Sequence, residues 1–496
     1  MSTKPLTTLC AALACLSAAG MARAQATVAP DQSVGAGDAQ PYDALGYGIA
    51  VDGTMMLVGA RGSDSIALNG GSVYAFSRGT NGWVQFQKLV FTSAAANDEI
   101  GTALALRGSV GAAGAPQRGS GGSVFALRFD GGAWFPVVEL TDASAGVNAE
   151  FGSAVACTAD IIAVGAPAST EGVGAFAGRV RLFNRVGTQW VADGLLRATF
   201  PDPGDRFGFA VAMDGDWLAI SAPGDDDAAI NAGAVWLYRR ARGQFDLVQK
   251  LVPPPPAGAN GGAAFGQSVA ISGGSLVVGA TLLDAAGVDS GAAFHYDLTA
   301  SGATLRATLL PPAGSAGAQF GFSVATDGHA VVVGAPGLNV GGQLRGGAFL
   351  YLGTPTTNGV LAPVASNSML LTGTRVAVVS SSVIASAPTA AAGAVTSVGR
   401  LYVLDRTRDC NSSGVPDAIE IANGSLVDGD GDGVPDSCQC VADITGDRLV
   451  NAADLSVLLG FWGSTNPPLP SVDINRDGIV GPADLSVLLG AWGACP

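Results

Sequence analysis

Between residues 43 and 404, apolar residues alternate with small or polar ones in short runs, and the pattern returns every 51 to 58 residues. The copies open on an apolar-Gly pair, Thr372-Gly373 in the degenerate seventh, and run through alternating apolar positions to a tight turn. An apolar run ending near Gly-Ala-Pro follows, then a glycine and an aromatic-rich run. The anchor glycines are Gly46, Gly101, Gly152, Gly208, Gly266, Gly321 and Gly373. Seven residues later glycine stands in five copies, often as Asp-Gly (Asp52-Gly53, Asp214-Gly215, Asp327-Gly328). A two-residue hairpin turn favours that pair because φ must be positive. A second hairpin is marked in the first six copies by Asn81-Gly82, Gly131-Gly132, Gly187, Gly243, Gly302 and Asn358-Gly359. Period-two runs bounded by such turns predict four short antiparallel strands per copy. Repeated seven times, they predict a mainly β fold, a seven-bladed β-propeller in which each blade covers its neighbour. The seventh copy ends after Gly399-Arg-Leu-Tyr-Val-Leu with no fourth strand, whereas Ala26-Thr-Val-Ala-Pro30 looks like Arg197-Ala-Thr-Phe-Pro201 ahead of the fourth anchor. The N-terminal strand is therefore expected to close the ring.

Fifteen residues after the anchor stand Pro116, Pro167, Pro223, Pro336 and Pro388, with Arg61 and Thr281 in the other two copies. Phe207-Gly208 through Ala222-Pro223, and Phe320-Gly321 through Gly334-Ala335-Pro336, resemble the FG-GAP repeats of integrin α-subunit propellers and their bacterial relatives. The resemblance spans about three quarters of the chain. It implies that the loop after Gly-Ala-Pro can hold calcium, and the matching place in blade four reads Asp225-Asp226-Asp227. A solvated acidic turn is the alternative reading of those three residues.

Beyond residue 409 the pattern changes to a 30-residue period. Asp443, Thr445, Asp447, Leu449, Asn451 and Asp454 recur as Asp473, Asn475, Asp477, Ile479, Gly481 and Asp484, each set followed by Leu-Ser-Val-Leu-Leu-Gly. Oxygens at positions 1, 3, 5 and 12, with the carbonyl at 7, can wrap a hard cation such as Ca2+, which takes six to eight oxygens. Leu455, Leu458 and Leu459, with Leu485, Leu488 and Leu489, are expected on one face of each following helix, so the two helices should pack together. Two calcium loops each trailing one helix resemble a type I dockerin, which implies attachment to a cohesin-like or other surface protein. Arg448 at position 6, Asp at position 12 and Gly481 at position 9 depart from the EF-hand pattern, and Ala452-Ala453 and Pro482-Ala483 replace the family's usual hydroxyl pair. Between propeller and dockerin-like region, Asp409, Asn411, Ser413 and Asp417, then Asp428, Asp430, Asp432 and Asp436, resemble thrombospondin type 3 calcium repeats, implying a calcium-rigidified spacer; a flexible acidic linker is the alternative.

Charge places the chemistry in this tail. From Asp409 onward there are 13 acidic and two basic residues, so −11 of the net −15 lies there and −4 elsewhere. No basic face is available to neutralise phosphates, which argues against a nucleic-acid partner. Charged residues make up 13% of the chain against roughly 25% in typical domains, and glycine reaches 72 residues, as a turn-rich β protein requires. Lys4, the apolar run Leu6–Gly20 and Ala22-Arg23-Ala24 read as a secretion signal, and no later apolar run is long enough to span a bilayer. The expected product is secreted or held at the cell surface. After signal removal Cys157 stands alone in the body as a buried small hydrophobe. Cys410, Cys438, Cys440 and Cys495 allow three pairings; Cys410 with Cys438 and Cys440 with Cys495 is favoured, because each pair brackets one acidic module. The expected units are a signal peptide (1–24), propeller (25–408), Asp-rich spacer (409–440) and paired calcium loops (441–496).

No G-x-S-x-G elbow, zinc motif or phosphate loop occurs, and His295 and His329 lack partners by spacing. The sequence reading is an adhesion or scaffold protein whose propeller binds an extracellular protein or glycan. A polysaccharide-acting enzyme using paired carboxylates, or a structural envelope component, are the alternatives.

Overall fold

The structure, a computed structural model, describes residues 27–170, 174–254, 261–340, 342–353, 359–361, 370–391, 395–428, 433–445, 449–475 and 477–494. The expected signal at 1–24, together with Asp430, Asp432, Asp447 and Cys495, lies outside the described residues.

Seven antiparallel sheets form the seven blades of a β-propeller. Blade one is Leu45–Asp52, Met55–Ala60, Ser72–Gly79 and Gly82–Leu89, and blades two to five repeat this order up to Gly302–Leu309. Hydrophobic residues of neighbouring sheets meet in seven separate layers, one per blade junction. The core of the ring is thus divided among the junctions, and no blade buries its faces alone. The residue before each anchor fills its layer: Phe207 packs against Trp236, Phe265 against Phe294 and Phe320 against Phe349, with ring centroids 5.0 to 5.4 Å apart.

One backbone position joins the blades. The glycine opening each third strand (Gly71, Gly122, Gly178, Gly233, Gly291, Gly346 and Gly399) has φ between +69° and +97°. A Cβ there would overlap the backbone of the residue before the next anchor, for example Phe265 beside Gly233. Parallel bridges such as Gly178 with Phe207 and Gly291 with Phe320 fasten blade to blade at this place.

The ring closes through the N-terminus, as the missing strand of blade seven requires, but by a different segment from the one expected. Gln32–Val34 pairs antiparallel with Arg400–Asp405 and completes blade seven. The 26–30 segment instead gives Thr27–Val28, which runs parallel to Gly359–Leu361 and adds a fifth strand to blade six. Gln32 locks the closure: its amide exchanges two hydrogen bonds with the backbone of Trp83 in blade one, at 2.8 and 2.9 Å. Gln87 does the same to Trp134 one blade on, at 2.8 and 2.7 Å.

Among the described residues of the tail there are three short α-helices. The first, Asp417–Ala422, buries Ile419 completely in the layer between blades six and seven, beside Val28, Leu350 and Tyr402. The front of the acidic spacer therefore packs on the propeller. The other two, Ala452–Gly460 and Pro482–Gly490, build a separate small core from Ala442, Val450, Leu458, Val472, Val480 and Leu488. Leu455 and Leu485 lean on that core, but Leu459 and Leu489 are about half exposed, against the single buried face expected for each helix. Nine-residue helices turn only one narrow stripe inward.

Candidate functional site

The paired loops are built as two related halves. In the second, the carboxylate of Asp484 is fully buried and accepts the Asn475 N–H at 3.0 Å and the Gly481 N–H at 2.7 Å. In the first, Asp454 is equally buried and accepts the Thr445 and Asn451 N–H groups at 2.9 and 2.8 Å. Position 12 of each loop thus clamps its loop onto the following helix. Asp473 Oδ2 accepts from Gly478 N at 2.9 Å, and Asp477 Oδ1 from Ile479 N at 2.9 Å. Asp473 Oδ1 is buried with no hydrogen-bond partner. An orphaned carboxylate oxygen at position 1 is what a bound cation would satisfy, since leaving it dry and unpaired costs several kcal/mol. The donor set of carboxylates, an amide oxygen and a backbone carbonyl suits Ca2+. Leu449–Val450 pairs with Gly493–Ala494 and Ile479 with Thr465, so each loop is held by the chain leaving the other helix.

In the spacer the carboxylate oxygens of Asp409, Asp417 and Glu420 lie within 4.8 Å of one another. Asn411 donates to Glu420 at 3.1 Å, and Ser413 N donates to both Asp409 and Asn411 at 2.9 Å. The alternating pattern found Asp409, Asn411, Ser413 and Asp417 but missed Glu420. Its signal was present, since Glu420 lies three residues after Asp417 and shares its helix face. Asp428 accepts from Gly433 N at 3.0 Å, and Asp436 opens a short helical turn. Cys410 and Cys438 are joined, with Cα atoms 5.8 Å apart. Cys440 is disulfide-bonded as well. Cys157 is the buried free thiol, its pKa pushed up by burial to about 12.

In blade four the three aspartates have partners within the protein. Asp226 accepts the Asn231 N–H at 2.5 Å, as Asp64 and Asp284 at the same repeat position accept from Asn69 and Asp289. It closes the loop. Asp225 and Asp227 both hold the Lys250 ammonium, at 2.7 and 2.5 Å, and that ammonium lies 4.5 Å from the centre of the Trp236 ring. Burial opposes the Lys250 charge, but the two carboxylates outweigh it and raise the pKa. The ammonium stands where a cation would.

Asp205, 3% exposed beside this cluster, has its pKa raised by burial to about 6, with Asp225 adding to the effect. Its folded pKa lies above the ordinary carboxylate value of about 3.9, so the native state keeps a proton that the unfolded chain has lost. The associated stability falls as pH rises from about 4 to 6 and stays lost above. Asp205→Asn keeps an oxygen for the Asp202 N–H, now 2.8 Å away. In chelator it is expected to stabilise the propeller at pH 7 by on the order of 2 kcal/mol and leave it unchanged near pH 4. Thermal melts at both pH values check this, and an equal shift at both would overturn it.

At the centre of the ring is a cavity of about 470 Å³ to which all seven innermost strands contribute. Its wall carries Tyr47, Arg61, Glu99, Glu150, Phe209 and Arg375. Glu99 is tied to Arg61 at 3.3 Å and Glu150 to Arg206 at 3.4 Å. His295, in the strand Ala292–Thr299, pairs with Ser275 Oγ at 2.8 Å.

The FG-GAP repeat family matches residues 31–76, 190–238, 245–296 and 304–351. Three of these stretches start in the outer strand of one blade and end in the third strand of the next; the first starts in the strand that completes blade seven. The sequence repeat is therefore offset by one strand from the blade, which is why the N-terminus must supply the last strand. Blade two, the first three strands of blade three and the three C-terminal strands of blade seven lie outside the matched stretches and keep the same antiparallel pairing. No curated protein matches the chain.

Proposed function

For a chain that carries FG-GAP repeats in a seven-bladed propeller, we propose a secreted or surface-held, calcium-binding adhesion or scaffold protein rather than an enzyme. The propeller binds an extracellular protein or glycan, and the dockerin-like tail, behind its thrombospondin-like spacer, attaches the protein to a cohesin-like or other surface partner. The observation carrying the attachment is a repeated apolar face. Leu459 and Trp462 on one half of the tail, and Leu489 and Trp492 on the other, are each about half exposed. Exposed aromatic and aliphatic side chains grouped on a small module mark interaction surfaces. The orphaned Asp473 oxygen supports calcium in the second loop, and the Asp409, Asp417 and Glu420 cluster supports it in the spacer. Among the described residues, no helix is long and apolar enough to cross a membrane. The carboxylates facing the cavity are each bound by arginine, which disfavours the acid and base roles that hydrolysis needs.

The test is capture of partners from the source's envelope fraction by the full chain, with calcium and with chelator. Calcium-dependent capture lost in a Trp462→Ala/Trp492→Ala variant supports the tail's role; capture indifferent to calcium and to both tryptophans overturns it. Chelation is also expected to expose residues 441–494 to protease while the propeller resists. At a hundredfold excess of calcium over Kd the tail should gain about 2.7 kcal/mol. Identical digestion with and without calcium would count against the metal.

A further inference from the structure

Two departures from the repeat meet in the central cavity. At the second residue after the anchor, six blades carry Gly48, Ala103, Ala154, Ala210, Ser268 and Ser323, all small, whereas blade seven carries Arg375. All seven positions line the cavity. At the fifteenth residue, where five blades have proline, blade one has Arg61. Both guanidinium groups face the Tyr47 ring, with Cζ 3.4 Å (Arg61) and 5.8 Å (Arg375) from its centre.

Their charges are not alike. Arg61 is neutralised by Glu99, and Arg206 by Glu150. Among the described residues no carboxylate lies within 4 Å of Arg375, whose Nη1 donates to the Thr374 carbonyl at 3.2 Å. The cavity wall carries the guanidinium groups of Arg61 and Arg375 and the carboxylates of Glu99 and Glu150; Arg206, outside that wall, takes up Glu150, so among the described residues Arg375 is the wall charge left without an ion-pair partner. Burial works against the Arg375 charge and lowers its pKa, and Arg61 adds to that. A guanidinium partly withdrawn from water is ordinarily paired, because an uncompensated charge away from water is costly. Its planar fork matches a carboxylate bidentately.

We propose that the central cavity binds a small organic anion through a single carboxylate held by Arg375, with Arg61 and Tyr47 as the adjoining wall. One unpaired guanidinium matches one carboxylate, whereas a dianionic phosphate would bring a second charge with no partner on the wall. A volume of about 470 Å³ admits a ligand of monosaccharide size. The carboxylate can belong to a free organic acid or to a uronic acid. The inference rests on reading the propeller as a binding module and specifies the chemistry of one of its sites.

The test is calorimetric titration of the full chain with lactate, glucuronate, the methyl ester of glucuronate, glucose and inorganic phosphate. At least one of the two acids is expected to bind at least about tenfold more tightly than the ester, glucose or phosphate, and Arg375→Gln to lose about tenfold or more. Glucuronate binding well above lactate assigns a uronic acid, and equal binding assigns the carboxylate alone; either supports the proposal. Ester binding as tight as acid, phosphate binding tighter, no acid affinity better than about 1 mM, or full affinity in Arg375→Gln would each overturn it. If Arg375→Gln does not fold, Arg375→Lys is used; it should keep the preference for acid over ester but bind more weakly, and unchanged affinity counts against the fork. Acid binding without any captured macromolecule would remove the adhesion reading alone. Capture that persists with no acid binding would remove the cavity site alone.

Discussion

Gly233→Ala should lower propeller stability by about 4 kcal/mol or more, while Gly243→Ala, ten residues away in the same blade, should cost only about 1 kcal/mol. The two glycines share the same left-handed backbone, with φ of +82° and +85°. The strain of placing an L-residue there is therefore common to both. They differ in surroundings: a Cβ on Gly243 meets nothing within 4 Å, whereas one on Gly233 overlaps the carbonyl and amide of Phe265. Neither partner can withdraw. Gly233 N donates to the Asp225 carbonyl at 3.0 Å, and Phe265 N donates to the Ala232 carbonyl at 3.0 Å, while the Phe265 ring is fully buried. The added methyl must push blade five from blade four, opening a packed layer. Denaturant melts of both variants measure the difference. Equal losses would show that the junction yields and that the glycine is required only for its φ.

A chain starting at residue 37 is expected to lose cooperative folding of the ring or to aggregate on heating well below the parent's transition. It would lack both Gln32–Val34 and Thr27–Val28, and with them the buried side chains of Val28 and Val34. The strand Arg400–Asp405 would become a bare edge, and unpaired edges invite pairing with other chains. The Gln32 bonds to Trp83, the Asp31 N–H bond to Val403 and the Asp31 carboxylate bond to Asp405 N would vanish together. Those contacts cross the seam where a ring differs from an open array. Gln32→Ala alone leaves the strand paired and should cost about 1 to 2 kcal/mol. Adding a peptide of residues 25–40 in trans should restore part of the transition. A truncated chain that melts like the parent would refute the closure.

The blade count was readable because most copies repeat the same local demands: positive φ at Gly53, Gly108, Gly215, Gly273 and Gly328, and an apolar residue before six of the seven anchors, Thr372 being the exception. Turn chemistry and period-two burial act over a few residues, so they survive in the order of residues alone. The tail helices were legible for the same reason, from the leucine spacing after each acidic loop, and Asn451 with Asp454 three residues on caps the first of them. Leu459 and Leu489 were misjudged because helical spacing gives a face but not its partner. The segment at 26–30 looked like a closing strand by composition, and only the seam could decide that Gln32–Val34 takes that place.

By itself, then, the order of residues determined seven four-stranded units, their turns, the offset copy that needs a strand from the other end of the chain, and two acidic loops ahead of helices. Tertiary structure alone decided what distant side chains do to one another. Lys250 reached Asp225 and Asp227 across the blade-four loop, Glu420 joined Asp409, and Arg61 met Arg375 across 314 positions at one tyrosine ring. Local propensities depend on neighbours in the chain, whereas charge pairing and desolvation depend on distance in space, which the closed ring sets.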